Sequence, residues 1–323
     1  MTEKSEQTEA GGVILQRTSI IAKLALLLAT IIWGSSFIVM KDALDNLGTF
    51  YLLGVRFMGA CILLAVIFWY KFKSFNFYYI KAGFVMGTAL LAAYAVQTFG
   101  LAETTPGKNA FLTAGYCVMV PFLYWLIAGK KPDRYNVSAA ILCVAGIGMV
   151  SLDSNLTMGR GDLLTIICGV FYALHIIVSA RYTQDSDVIL LTISQFFFAG
   201  VWSWGLSFAF ETMPAAASIP VDTWLSLAYL CVFATAGALG LQMYGLKYTA
   251  PSAGALILSL EAVFGVLFSV LLGAEAVTLR LLLGFAVIFI AIVVSETKLE
   301  FLHKSKKQVC DETNTGECCS GEC

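Results

Sequence analysis

The chain has 323 residues, of which 59% are apolar and only 13% charged, and its formal net charge is −1. Soluble domains carry roughly 45–50% apolar and about 25% charged residues, so both values exclude an ordinary soluble fold. The near-neutral balance also argues against nucleic acid as a partner.

Taken in chain order, Met1–Ser19 is polar and has no compact apolar run ahead of a small-residue cleavage site. It reads as a cytosolic N-terminal tail, with the first apolar stretch retained as a helix. A bilayer-spanning helix needs about 20 mostly apolar residues. Ten segments meet that need, at roughly 20–40, 49–70, 78–101, 106–128, 134–152, 161–181, 187–209, 221–244, 251–273 and 277–296. The breaks are short and rich in turn residues, as in Asp45-Asn46-Leu47-Gly48, Gly129-Lys130-Lys131-Pro132-Asp133 and Met213-Pro214. Pro106 and Pro251 suit the first turn of a helix, where a missing N–H costs nothing.

The chain contains an internal repeat. Gln97–Gly115 and Gln242–Leu260 share Gln97/Gln242, Gly100/Gly245, Leu101/Leu246, Thr104/Thr249, Pro106/Pro251 and Ala110/Ala255 at a constant offset of 145. Lys and Arg set the orientation. With the N-terminus inside, only Lys41, Lys108, Arg160 and Arg280 fall outside and Arg56 falls within a span, leaving the other fifteen of 20 on the cytoplasmic side. Five helices per copy is an odd number, so the second copy is inverted relative to the first. The expected fold is an all-α polytopic membrane protein of ten transmembrane helices in two inverted five-helix repeats. Its units are a tail at 1–19, repeats at 20–152 and 153–297, and a Lys- then Cys-rich tail at 298–323, with both termini cytoplasmic. Such repeats are a known route to alternating access.

Polar groups inside the spans are the candidate functional residues. Glu261 lies ten residues into the ninth span, about 15 Å deep and so near the midplane. An ionised carboxylate there needs a cavity or a partner, or else becomes neutral. It is read as a proton-coupling or substrate-amine group, against the alternative of a helix-linking hydrogen bond. The repeat offset places Tyr116 at the equivalent position, so Tyr116 and Glu261 are expected to face one cavity. Arg56 is read either as a packing arginine that snorkels to the interface or as an anchor for an anionic group or a gate ion pair. His175, aligned roughly with Ser36, is a candidate proton carrier or a satisfied interhelical bond. Gln97 and Gln242 are matched gates or matched interhelical hydrogen bonds, and Trp33, Tyr94, Tyr172 and Tyr244 are candidates to stack on substrate. Gly83-x-x-x-Gly87 and Ala236-x-x-x-Gly240 read as close helix contacts.

The motifs Trp33-Gly34-Ser35-Ser36-Phe37, Arg56-Phe57, the Gly-Leu…Pro-to-Ala junctions and Ser259-Leu260-Glu261-Ala262-Val263-Phe264 resemble the EamA-type branch of the drug/metabolite transporter superfamily. The resemblance runs over about residues 20–297. The chain departs from it at Ala262 after Glu261, at Ala274 between Gly273 and Glu275, and at Phe171-Tyr172-Ala173 where an aromatic-Gly step is expected. The resemblance implies export of small metabolites or amino acids through a cavity lined by spans 1, 3, 4, 6, 8 and 9, with spans 5 and 10 peripheral.

Cys310, Cys318, Cys319 and Cys323 sit in a tail whose spacing matches no standard zinc pattern, and the remaining cysteines read as small packing residues. There is no H-E-x-x-H or Walker A string, and Gly159-Arg160-Gly161-Asp162 has no second intramembrane Asp, so no enzyme is expected. No metal site and no cofactor is expected. The leading reading is a proton-coupled secondary exporter in the plasma or inner membrane. The alternatives are an exchanger of organic anions or sugar phosphates, and a sensor acting through the Cys-rich tail. The expected partners are a small-molecule substrate and the lipid bilayer, with homodimerisation left open.

Overall fold

The computed structural model describes residues 2–129, 131–152, 158–183, 186–249 and 251–298. Among the described residues the regular structure is helical, apart from one isolated bridge between Leu152 and Met158. The Cys-rich tail lies outside the described residues.

Within those residues, twelve α-helices build ten apolar spans. They are α1 (Thr2–Leu44), α2 (Thr49–Ile67), α3 (Phe77–Glu103), α4 (Pro106–Ala114), α5 (Tyr116–Ala128), α6 (Arg134–Ser151), α7 (Arg160–Tyr182), α8 (Val188–Phe210), α9 (Val221–Tyr229), α10 (Ala238–Lys247), α11 (Pro251–Leu271) and α12 (Leu279–Thr297). Eight spans are long and apolar enough to cross a bilayer, and the apolar stretches Ile257–Leu271 and Leu279–Ser295 are shorter. Helix α1 is continuous from Thr2, so helical backbone begins ahead of the first apolar stretch.

Two spans expected as single helices are interrupted. Span 4 breaks at Gly115, whose N–H turns back to Leu112 O at 3.2 Å, and Pro121 removes a further helical donor in α5. Span 8 runs as α9, a π-helix over Leu230–Gly237, and α10. Local chemistry sets the other ends. Pro106 and Pro251 open α4 and α11, Asn76, Asp133, Asp187 and Thr278 cap α3, α6, α8 and α12, and Gly129 closes α5 at φ 74°.

The packing follows a two-fold pattern. Span 3 packs on span 6 and span 8 on span 1, while spans 2 and 7, 4 and 9, and 5 and 10 pair across the axis. The symmetry extends to single contacts. In α3, a Cβ on Gly100 would meet Gly161 O at 2.9 Å and also press on Thr165. In α10, a Cβ on Gly245 would meet Ala22 O at 2.9 Å and press on Leu26. Residues 161 and 165 lie 139 positions after 22 and 26, so spans 1 and 2 map onto 6 and 7 at 139, while later spans map at 145.

Gly83 and Gly87 give α3 its close approach to Ser194 and Gln195 of α8, as expected. Ala236-x-x-x-Gly240 does not make such a contact, because no described neighbour lies within 4 Å of a Cβ on Gly240. The core centres on Leu52, Leu53, Phe57, Leu101 and Leu230, with a second cluster around Leu112, Phe285 and Ile288. Large apolar side chains such as Ile62, Val66, Leu126, Val144, Phe208 and Leu282 stay exposed on the outside, as lipid-facing surfaces require.

Candidate functional site

The spans enclose a central cavity of about 250 Å³. Nine of the ten polar and aromatic candidates singled out from the sequence line it: Trp33, Arg56, Tyr94, Gln97, Tyr116, Tyr172, His175, Gln242 and Glu261. The lining is itself two-fold. Trp33 and Tyr172, Ser36 and His175, and Arg56 and Gln195 are repeat equivalents at offset 139. Leu90 and Thr235, Tyr94 and Leu239, Gln97 and Gln242, and Tyr116 and Glu261 are equivalents at 145.

Arg56 does not snorkel to an interface. It is 2% exposed and turns inward, where Nε donates to Thr235 Oγ1 at 2.7 Å and Nη1 reaches Met40 Sδ at 3.6 Å. Its guanidinium carbon lies 4.9 Å from the Tyr94 ring centroid, within cation–π range. Among the described residues, no hydrogen bond or ion pair holds the Glu261 carboxylate, and the charge that acts on it is that of Arg56. A carboxylate in this setting is able to take up a proton or a cationic ligand.

The neutral polar groups are more fully engaged. Tyr172 donates its hydroxyl to Gln97 Oε1 at 2.8 Å, and Gln97 Nε2 donates to Thr113 Oγ1 at 3.1 Å. Asn109 Nδ2 donates to the Gln97 carbonyl at 3.3 Å and to Thr165 Oγ1 at 2.8 Å. Gln97 therefore ties spans 3, 4 and 6 at the cavity wall. His175 Nε2 lies 3.0 Å from Gln195 Oε1 and 3.3 Å from Ser179 Oγ. Aromatic rings complete the wall: Tyr94 meets Tyr172 edge-on at 5.4 Å, and Tyr116 lies 5.8 Å from Tyr172.

Two expectations about the lining are corrected. Spans 2 and 7 contribute through Arg56, Gln195 and Phe196, because the α2–α8 pair crosses the axis. Tyr244 lines a different cavity and is 41% exposed, since the helix turns it away from the centre. Spans 5 and 10 supply no lining residue among those described. Gln195, Thr113, Thr235 and Leu239 were not singled out from the sequence. The offsets applied to Arg56, Leu90 and Tyr94 point to three of them.

Both ends of the bundle carry polar clusters. At one end Lys41 Nζ donates to the carbonyls of Leu101 and Ala102 at 2.7 Å each and of Thr104 at 3.1 Å, binding α1 to the last turn of α3. Asp162 accepts from Thr104 and pairs with Lys108 at 3.4 Å. Glu275, 8% exposed, lies at the start of α4, and burial pushes its carboxyl above the ordinary value against Thr105 and Lys108. At the other end Lys71 pairs with Asp187.

Two segments of the chain, residues 20–152 and 159–297, match the model of the EamA-like transporter family. An uncharacterized transporter of Archaeoglobus fulgidus is 34% identical over 84% of this chain and 85% of its own. The uncharacterized inner membrane transporter YedA of Escherichia coli K12 is 24% identical over 83% of this chain and 88% of its own. A solved crystal structure aligns with a TM-score of 0.60 at 15% identity, over 87% of this chain and 98% of that one, and shows the fold.

Proposed function

From the premise that the chain belongs to the EamA-like transporter family and is a multi-pass membrane transporter, we propose that it is a secondary exporter of small metabolites or amino acids. It works by alternating access of its two inverted repeats and is coupled to protons through Glu261. Both termini are placed in the cytosol on the Lys and Arg asymmetry.

The observation that carries this reading is one cavity holding a carboxylate with no hydrogen-bond or ion-pair partner among the described residues and a buried guanidinium on the other repeat. Arg56 offers a desolvated fork suited to a carboxylate group. Glu261 offers an acceptor for an ammonium or a proton, and the aromatic wall suits a small apolar side group. A volume of about 250 Å³ favours a metabolite-sized solute. An exchanger of sugar phosphates is less well supported, because dianionic phosphate calls for several cations and Arg56 is the only Lys or Arg lining this cavity among the described residues. The reading through the Cys-rich tail falls on residues outside those described.

The test uses purified protein in proteoliposomes with an imposed proton gradient and a panel of L-amino acids, amines and sugar phosphates. Uptake or efflux of one organic class is expected to follow the gradient. Glu261→Gln is expected to abolish the pH dependence, and Arg56→Gln is expected to lower affinity for carboxylate substrates by about tenfold or more. Wild-type pH dependence in Glu261→Gln refutes the coupling.

A further inference from the structure

The eighth span departs from its repeat partner at one place. Span 3 is uninterrupted α-helix from Phe77 to Glu103, whereas span 8 is π-helical over Leu230–Gly237. A π turn holds one residue more than the hydrogen bonding of an α-helix allows, and it is concentrated at functional sites. Three contacts hold this one. Trp33 Nε1 donates to the Ala234 carbonyl at 2.7 Å. The Thr235 hydroxyl donates to Leu230 O, five residues back, at 2.7 Å. Arg56 Nε donates to that same hydroxyl at 2.7 Å. A hydrogen-bonded chain therefore runs from the guanidinium of the cavity, through one hydroxyl, to a backbone carbonyl of the π turn.

Four residues beyond Thr235 stands Leu239. Among the described residues it alone lines both the central cavity and a second, largely apolar cavity of about 460 Å³. That second cavity lies between α2, α8 and α10, reaching Phe68, Tyr244 and the Asp187 end of the bundle. Leu239 thus borders both spaces. Next to it, Gly240 meets no described side chain or backbone within 4 Å of a Cβ position, so the helix has room to turn there.

We propose that the π turn of span 8 is a hinge, set by Arg56 through Thr235, that moves Leu239 and joins the two cavities. It rests on the transport reading for its purpose. Passing the extra residue beyond Gln242 rotates the residues it passes by about 100° and shifts them along the axis by about 1.5 Å. That motion carries Leu239 from between the two spaces and swings Gln242 with it. A ligand carboxylate that engages the Arg56 guanidinium draws it from Thr235 and weakens the hold on the turn. Occupancy of the cavity is thereby coupled to opening of one path out of it. The other repeat has Leu90 where Thr235 stands and no π turn, so the device belongs to one half only.

The test compares Thr235→Val, which removes the hydroxyl at nearly constant shape, with Thr235→Ser, which keeps it. Hydrogen exchange of the full-length protein is read at the amides of residues 236–242. Thr235→Val is expected to exchange roughly fivefold faster there, as loss of one buried hydrogen bond allows, with Thr235→Ser close to wild type. L-phenylalanine is expected to raise exchange at the same amides in the wild type, whereas phenethylamine, which lacks the carboxylate, leaves them unchanged. In proteoliposomes, Thr235→Val is expected to bind L-phenylalanine at least as tightly as the wild type, since Arg56 is already released, while its turnover falls about tenfold. Wild-type exchange in Thr235→Val overturns the hinge, as does an equal fall of Thr235→Val and Thr235→Ser together with their melting temperatures. Failure of L-phenylalanine to bind counts against the proposed substrate class, while the Val and Ser pair still decides the hinge.

Discussion

Asp133 shows how one carboxylate serves two neighbours at the surface of a membrane helix. Its Oδ1 accepts from the backbone N–H groups of Tyr135 and Asn136 at 3.0 Å each, capping α6, and Oδ2 pairs with Lys298 at 2.7 Å. The Lys298 hydrogen bond, followed by the helix amides, holds this carboxyl below its ordinary value of 3.8. A depressed folded value means stability that is present above pH 3.8 and is lost as pH falls through the lower value. Although the Lys298 bond lowers the carboxyl most, that pair is half-exposed and screened by solvent, so the helix cap supplies most of the stability. Asp133→Ala is expected to lose about 1 kcal/mol at neutral pH, read as a lower midpoint of thermal unfolding in detergent. The gap from wild type should close on acidification below the carboxylate range. A constant gap at all pH values would mean that packing, not the charged cap, stabilises this end.

Elements meet through glycines, and a close approach of this kind joins α3 and α8. A Cβ on Gly87 would lie 2.5 Å from Gln195 O and 2.9 Å from Phe198 Cβ. The backbone on one side cannot yield cheaply, so α8 would have to shift. Because α8 carries Gln195 and Phe196 into the cavity, the shift would reach the site. Gly87→Ala is expected to cost about 1–3 kcal/mol and to weaken substrate binding as well. Gly240→Ala, where no described atom is close, is expected to do neither. Equal melting temperatures for the Gly87 and Gly240 variants would remove this account. The same pair marks what the sequence makes legible. Both glycines stand in small-x-x-x-small strings, but the string records only backbone accessibility, and the partner helix is set by tertiary packing. Hydropathy located the spans because apolar length is a local property. The repeat located the cavity residues because symmetry carries one position onto another. The π turn stayed hidden, since Leu230–Gly237 differs from an α-helix only in hydrogen-bond register. Trp33 and Arg56 hold that register from 201 and 179 positions away. Gln195 was within reach, at offset 139 from Arg56, the same offset that aligns His175 with Ser36.

At the scale of the whole molecule, the proposed alternating access requires each end of the bundle to part in turn, and at the Lys41 end spans 1, 3 and 6 are tied together. Lys41 places its ammonium on three carbonyls at the C-terminal end of α3, where the helix dipole favours a cation. It thereby joins span 1 to span 3, and Asp162 joins span 6 to the same turn through Thr104. The repeat equivalent of Lys41 is Ala180, at offset 139, which has no side-chain donor to offer the other end. The two ends are therefore held by different chemistry, even though the backbone contacts of Gly100 and Gly245 correspond. Removing the ammonium should favour the form that is open at the Lys41 end. Lys41→Met keeps most of the stem and deletes the donors. With a reporter cysteine at Ser36, which lines the cavity, an impermeant thiol reagent applied from the Lys41 side is expected to react about tenfold faster in the Lys41→Met variant. A factor of that size corresponds to roughly 1.4 kcal/mol, within the range for hydrogen bonds to a charged group after discounting for exposure. Peptide mass spectrometry assigns the modification to residue 36 and separates it from the native cysteines. The rate from the opposite side should fall or stay constant if, as proposed, the two openings exclude one another. A rise from both sides would show that Lys41 holds the fold together rather than closing one end, and an unchanged rate would place the closure on Asp162 and Glu275 instead.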